Sequence, residues 1–146
     1  MSPIDRALLA ERRGAIHRHL DRVAARLPAD ATSFVASTDA ADAVILHLWQ
    51  ATQGVLDLAL SACVQLGFGA PSTYAGAFRL LQEKGVIDEA LANRLVKAAG
   101  FRNVVAHAYD TLDMNRVHRA ATEGPADLKA FLDALGRAAL APGTNS

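Results

Sequence analysis

VILHLWQATQGVLDLALSACVQL, residues 44–66, is the stretch on which the fold turns. At roughly 100° per residue, Val44, Ile45, Leu48, Val55, Leu58, Ala59 and Leu66 recur with helical period. Thr38 or Asp39 is placed to cap this helix, and GFGAPS stops it. It is the most apolar helix of the chain.

Upstream, Ser2-Pro3 is a favourable helix start, because a proline at the first position lacks only an N–H that would have no partner. Ile4, Leu8, Leu9, Ile16, Leu20, Val23 and Leu27 then trace a stripe to Pro28. PADATSFVAST reads as a turn-rich connection. Downstream, Ser72 caps a third helix, YAGAFRLLQEKG, with Gly85 as its left-handed terminator. Asp88 caps a fourth that runs through ALANRLVKAAGFRNVVAHAY, where Gly100 costs about 1 kcal/mol relative to alanine. Asp113 starts a short fifth helix ending near Gly124, and Pro125 opens a last one, ADLKAFLDALGRAAL. No alternating apolar and polar run makes a strand. The expectation is an all-α, antiparallel helical bundle of about five to six helices, with residues 1–146 as one domain and the last few as a frayed tail.

A chain of 146 residues with 51% apolar and 21% charged residues has the composition of a folded globular domain. No uninterrupted apolar run approaches the roughly 20 residues of a membrane helix, and MSPIDRALLAERRG carries charge where a signal peptide would be apolar. No membrane partner is expected, and the cytoplasm is the expected compartment. Cys63 is alone, which excludes an intramolecular disulfide and a thiolate cage, and it reads as a small buried hydrophobe. A formal net charge of zero and 5% aromatics leave no broad basic footprint and few stacking platforms, so DNA is not expected as a partner.

RNVVAHAYD, residues 102–110, sets an arginine, a histidine and a tyrosine into an otherwise aliphatic helix. On a regular wheel Phe101, Val104, Val105, Ala108 and Leu112 form the buried stripe, with Arg102 and Tyr109 nearly eclipsed on one flank. His107 lies about 140° around from Arg102, with Asn103 and Asp110 between them on the outer face. A regular helix therefore keeps Arg102 and His107 apart. Either a π-bulge or a second copy of the helix across a symmetric dimer would bring them into one cleft, and the dimer is the favoured arrangement. Such a cleft suits a phosphodiester. Histidine, with an ordinary pKa near 6.5, carries protons to and from hydroxyls, and arginine forks onto nonbridging oxygens.

The order Phe-Arg-Asn-Val-Val-Ala-His-Ala-Tyr-Asp resembles the R-x4-H-x-Y signature of the HepT-like ribonuclease toxins of the HEPN superfamily. Residues 40–120 carry the likeness, including a Gln-bearing apolar helix, a P-S-x-Y segment and a following G-V-I turn. The resemblance implies a HEPN-like homodimer and the toxin of a type VII toxin–antitoxin pair, acting as a metal-independent endoribonuclease without a cofactor. By the same resemblance Arg102 and His107 are catalytic, Asn103 and Asp110 support the site, and Tyr109 accepts AMP from MntA, a minimal nucleotidyltransferase antitoxin. RNA is the implied substrate. The rival expectation is a noncatalytic HEPN-type module that binds a nucleotide or a partner; a third is a helical scaffold whose motif is only surface.

The remaining histidines read as structural. His17 and His19 are two apart and point to opposed helix faces, as exposed residues; His47 reads as a satisfied core or interface histidine, and His118 as single. Arg12, Arg13, Arg18, Arg22 and Arg26 give the first helix a solvated basic flank. No Gly-rich phosphate loop occurs, nor a G-S with a spaced D-x-D, so the chain is not itself expected to transfer nucleotides.

Overall fold

A computed structural model describes residues 5–140. Among them are six α-helices and one 3-10 turn: α1 Arg6–Arg26, α2 Ala31–Ala36, α3 Thr38–Gln65, α4 Tyr74–Glu83, α5 Glu89–His107, the turn Tyr109–Thr111, and α6 Met114–Leu140. The all-α expectation holds. α3, the stretch quoted first, touches each of the other five helices and forms the axis of the bundle. Its span Asp39–Gln65 is long and apolar enough to cross a bilayer by length and composition, but half of the most apolar part is buried within the protein. The apolar surface is spent on neighbouring helices, as expected of a helix apolar on several faces.

The helix ends follow local chemistry. Asp5, with extended backbone, caps α1 by accepting from Leu8 N at 3.1 Å. The expected start at Ser2-Pro3 and the frayed tail lie outside the described residues. Thr73, rather than its neighbour Ser72, caps α4, its hydroxyl accepting from Gly76 N at 2.9 Å. Asp88 caps α5 as expected, accepting from Leu91 N at 2.8 Å. Gly85, at φ 78°, ends α4 with Val86 N donating to Leu81 O and Gly85 N to Gln82 O. This paired closure needs a left-handed residue at that point, where glycine has no Cβ penalty.

The cap of α3 is Ser37, without a side-chain cap bond, and not the expected Thr38 or Asp39; two expectations about how the chain divides into helices also fail. The turn-rich PADATSFVAST contains a short helix, α2, capped by Asp30 accepting from Ser33 N at 2.6 Å. Its wholly buried Phe34 supplies the reason to fold back. The expected fifth and sixth helices are one helix, α6, with Pro125 inside it. A proline there forfeits a backbone bond and costs about 3 kcal/mol. Val117, Ala121, Leu128, Leu132, Leu135 and Ala139 keep one buried stripe in phase on both sides of it. Burying a valine or leucine side chain contributes about 1.5–3 kcal/mol, so the stripe outweighs the proline.

The core has two parts. One gathers Ile16, Leu20, Val55, Leu56, Phe78, Leu81, Leu95, Phe131 and Leu132 among α1, α3, α4, α5 and α6, with Phe78 and Phe131 edge to face at 5.5 Å. Cys63 belongs to it as expected, its thiol pushed up in pKa by burial and set 3.6 Å from Ala77 O. The other gathers Val23, Phe34, Val44, Ile45, Leu48, Val105, Val117 and Ala121, with Trp49, Phe101 and Leu112 packed against it. This second part carries the C-terminal end of α5, and with it the RNVVAHAYD segment.

Candidate functional site

α5 buries Leu91, Ala92, Leu95, Ala99 and Val105. Arg102 lies seven residues beyond Leu95 and three before Val105, close to the same line, so it sits within the stripe and not on its flank. It is half-buried there, where α5 crosses α3. Its Nε donates to Gln53 Oε1 at 2.7 Å and its Nη1 to Asn103 Oδ1 at 2.8 Å. The guanidinium also stands over the rings of Trp49 and Tyr74, 5.6 and 5.9 Å from their centroids. Two aromatic faces and two amide oxygens hold the cation, with no carboxylate on it among the described residues, which leaves its charge available to an anion.

Gln53 is itself oriented. Its amide nitrogen donates to Asp57 Oδ1 at 2.9 Å and to Tyr74 Oη at 3.1 Å, while the Tyr74 hydroxyl stands 3.3 Å from the same carboxylate oxygen. With its N–H groups used on that side, the amide must turn its oxygen to Arg102. Asp57 therefore acts on Arg102 through Gln53 and does not cancel its charge by contact. Trp49 Nε1 is buried without a hydrogen-bond partner among the described residues.

His107 is exposed and is the last residue of α5. Between Glu89 and His107 the helix is α throughout, with no π-turn. Arg102 and His107 thus remain on different sides, and of the two ways to unite them the bulge is excluded. Asn103 is exposed beside Arg102. Val104 departs from expectation: the wheel placed it in the buried stripe, but it is 50% exposed. The stripe runs through Leu95, Ala99, Arg102 and Val105, which rotates Gly100, Asn103, Val104 and His107 together onto the outward face.

The helix stops before Tyr109. Ala108 leaves helical geometry, at φ −141° and ψ 40°, and Tyr109 opens the 3-10 turn with Asp110 exposed beside it. The expected alignment of Tyr109 with Arg102 assumed a helix two residues longer and is lost. Tyr109 instead donates its hydroxyl to Asp42 Oδ1 at 2.6 Å. That bond, then partial burial, then the charges of Asp42 and Asp110 push the phenol up to about 12 in pKa. Asp42 and Gln53 are eleven residues apart on α3, so Tyr109 and Arg102 anchor to it about 16 Å apart along its axis. Leu46, 52% exposed, lies between those anchors.

Asp42, Gln53, Asp57, Tyr74 and Trp49 were not singled out as site residues from sequence. Their signal was present in part: Gln53 and Asp57 are an i, i+4 polar pair in the most apolar helix of the chain. His19 and His47 were read as separate, and His19 as exposed. Both are half-buried and meet across α1 and α3, Nδ1 to Nδ1, at 3.1 Å. Both are lowered in pKa, first by burial; His47 and then Arg22 and Arg18 add to this for His19, and Arg22 and Arg26 for His47. His118 is structural, its Nε2 2.9 Å from Pro28 O. Among the described residues no cluster of three or more metal-binding side chains occurs.

Comparison with known proteins bears on the same region. The chain is 27% identical over 106 residues to the mRNA nuclease HepT of Shewanella oneidensis, covering 73% of this chain and 80% of that one. It superposes with a TM-score of 0.79 and 25% identity on a tri-AMPylated Shewanella oneidensis HEPN toxin in complex with MNT antitoxin, covering 88% of this chain and 96% of that one. The cytosolic protein YutE of Bacillus subtilis shares the fold, with a TM-score of 0.79 at 17% identity over 93% of this chain and 91% of that one. The profile described as Ribonuclease HepT-like matches residues 16–135, which span α3, the Gln53 network and the whole RNVVAHAYD segment, and the chain belongs to the HepT-like ribonuclease family.

Proposed function

We propose that the chain is the toxin of a toxin–antitoxin pair, a cytoplasmic endoribonuclease that works without a metal ion or cofactor and is neutralised by nucleotide transfer to Tyr109. The observation that carries this is the presentation of Arg102: half-buried, oriented by Gln53 and Asn103, stacked against two rings and, among the described residues, free of a carboxylate partner. An arginine so held offers a rigid fork to the nonbridging oxygens of a phosphodiester.

His107 supplies the proton-transfer group. In the proposed reaction the ribose 2′-oxygen bonds to the adjacent phosphorus and the bond from that phosphorus to the 5′-oxygen of the next nucleotide breaks, leaving a 2′,3′-cyclic phosphate and a 5′-hydroxyl, with His107 moving a proton and Arg102 compensating charge on the phosphoryl oxygens. Because a regular α5 holds the two apart, the active unit is a homodimer in which one copy's Arg102 works with the other's His107. Exposed Val104, with Gly100 beside it on the outward face of α5, and exposed Leu46 on α3 are the aliphatic surface suited to the second copy. Asn103 and Asp110 take supporting roles.

The partner is a nucleotidyltransferase antitoxin of the MntA kind, by analogy with the AMPylated relative in its complex. AMP on Tyr109 adds a bulky anion at the end of α5, where it opposes an incoming RNA. The test is cleavage of a labelled RNA by purified chain in excess EDTA, beside Arg102→Ala and His107→Ala. Wild-type cleavage, lost in both variants, is expected. Equal product from all three defeats the nuclease reading, and RNA binding without cleavage by the wild type leaves a noncatalytic HEPN-type module.

A further inference from the structure

Tyr109 is 45% exposed, so its hydroxyl is within reach of a reactant, yet it is the proton donor in a short bond of 2.6 Å to Asp42 Oδ1. The two come from distant parts of the chain: Asp42 from the first turns of α3, Tyr109 from the 3-10 turn after α5. Asp110 stands next to the tyrosine and adds a second carboxylate to its surroundings, without a hydrogen bond to the phenol among the described residues. A phenol so placed is a poor nucleophile at neutral pH, since both the bond and the two negative charges oppose phenolate. Modification of the oxygen therefore requires a base that takes the proton while the new bond forms.

We propose that Asp42 is that base: its carboxylate accepts the phenolic proton as Tyr109 attacks a nucleoside triphosphate. This rests on the modification of Tyr109 argued above. The phenolic oxygen forms a bond to the α-phosphorus. The bond from that phosphorus to the oxygen bridging to the β-phosphate breaks, and pyrophosphate leaves with the electron pair. The proton passes to Asp42 Oδ1 and on to solvent. No oxidant or reductant is needed; the triphosphate and the enzyme that binds it come from the partner. The acceptor is already in contact with the proton in the unmodified chain, so the toxin contributes a catalytic group to its own inactivation. After transfer the oxygen has no proton to donate, and the new phosphodiester is repelled by Asp42 and Asp110. The modified side chain leaves its place on α3.

The experiment is the rate of mass gain by intact chain, incubated with the nucleotidyltransferase antitoxin of its own genome and magnesium ATP, for wild type, Asp42→Asn, Asp42→Glu and Tyr109→Phe. Asparagine retains an oxygen that accepts from the phenol, and thermal midpoints report whether each variant is folded. The expectation is a fall of about 100-fold or more for Asp42→Asn at pH 7 and partial recovery in Asp42→Glu. The ratio of wild-type to Asp42→Asn rate should shrink steadily from pH 7 to pH 10 as hydroxide replaces the carboxylate as proton acceptor. A folded Asp42→Asn chain modified at the wild-type rate, or a ratio independent of pH, overturns the assignment while leaving Tyr109 as acceptor. Mass gain that persists in Tyr109→Phe, or none in the wild type, overturns both.

Discussion

Arg102 is bound to Gln53, Nε to Oε1 at 2.7 Å, and this bond fastens the motif helix to the central helix of the bundle. Gln53 can face Arg102 with its oxygen because Asp57 and Tyr74 hold its nitrogen. Replacing Gln53 with alanine removes the acceptor and leaves the guanidinium free to turn. RNA cleavage is expected to fall about 10- to 100-fold, the range a small misplacement of a catalytic group produces. Arg102→Lys is expected to fall at least as far, since an ammonium cannot serve Gln53, Asn103 and a phosphate through a planar fork. Steady-state cleavage of a defined oligonucleotide, with thermal midpoints as a folding control, measures both.

If one protomer's Arg102 works with the other's His107, two inactive variants complement each other. A mixed dimer of Arg102→Ala and His107→Ala chains has one site lacking both groups and one site intact. After free exchange, about a quarter of wild-type cleavage returns, because half the dimers are mixed and each carries one good site of two. Mixing the variants at equal concentration and assaying after exchange measures it; no gain over either variant alone rules out the shared site.

His19 and His47 make stability fall in acid. Their Nδ1 atoms are 3.1 Å apart, so one donates and the other accepts, and protonation of both destroys the bond and leaves like charges in contact. Burial and the neighbouring arginines hold both pKa values below the ordinary 6.5. The unfolded chain then binds more protons than the folded one as pH falls through that value. The pair's contribution is fully present above about pH 6.5 and is lost progressively below it. Melting temperature measured from pH 8 to pH 5 should decline, and His47→Asn should flatten the decline.

Two glycines within helices should respond oppositely to alanine. At Gly54, on α3, an added Cβ would stand 2.7 Å from Ile16 Cγ1, and Ile16 is 2% exposed and unable to move aside freely. Gly54→Ala is expected to cost about 1–3 kcal/mol. At Gly100, on α5, the added atom meets nothing within 4 Å. Gly100→Ala should gain up to about 1 kcal/mol from helix propensity alone. Chemical denaturation of the two variants measures both.

Much of this was legible in the chain. The spans of α3 and α4, though not their capping residues, and the start of α5 at Asp88 could be read because their signals are local: apolar period, the Asp88 cap, and Gly85 at the left-handed end of α4. Arg102, His107 and Tyr109 stood out because polar residues in an aliphatic helix are conspicuous. Pro125 misled for the same reason, since local rules break a helix there and only the buried stripe of α6 on both sides overrides them. The last turn of α5 also misled: a wheel has no means of knowing that Ala108 leaves the helix, so it carried Tyr109 to the wrong side.

The sequence by itself determined the all-helical class, the apolar character of α3 and the membership of Arg102, His107 and Tyr109 in one segment, because helical period acts within a few residues; the central place of α3 came from its contacts with the other five helices. Which groups those three meet was decided by the tertiary structure. Arg102 finds Gln53, Tyr109 finds Asp42 and His19 finds His47 through contacts separated by 49, 67 and 28 residues. Such pairings depend on how one helix is rotated against another, and that rotation is set by burial summed over the whole bundle.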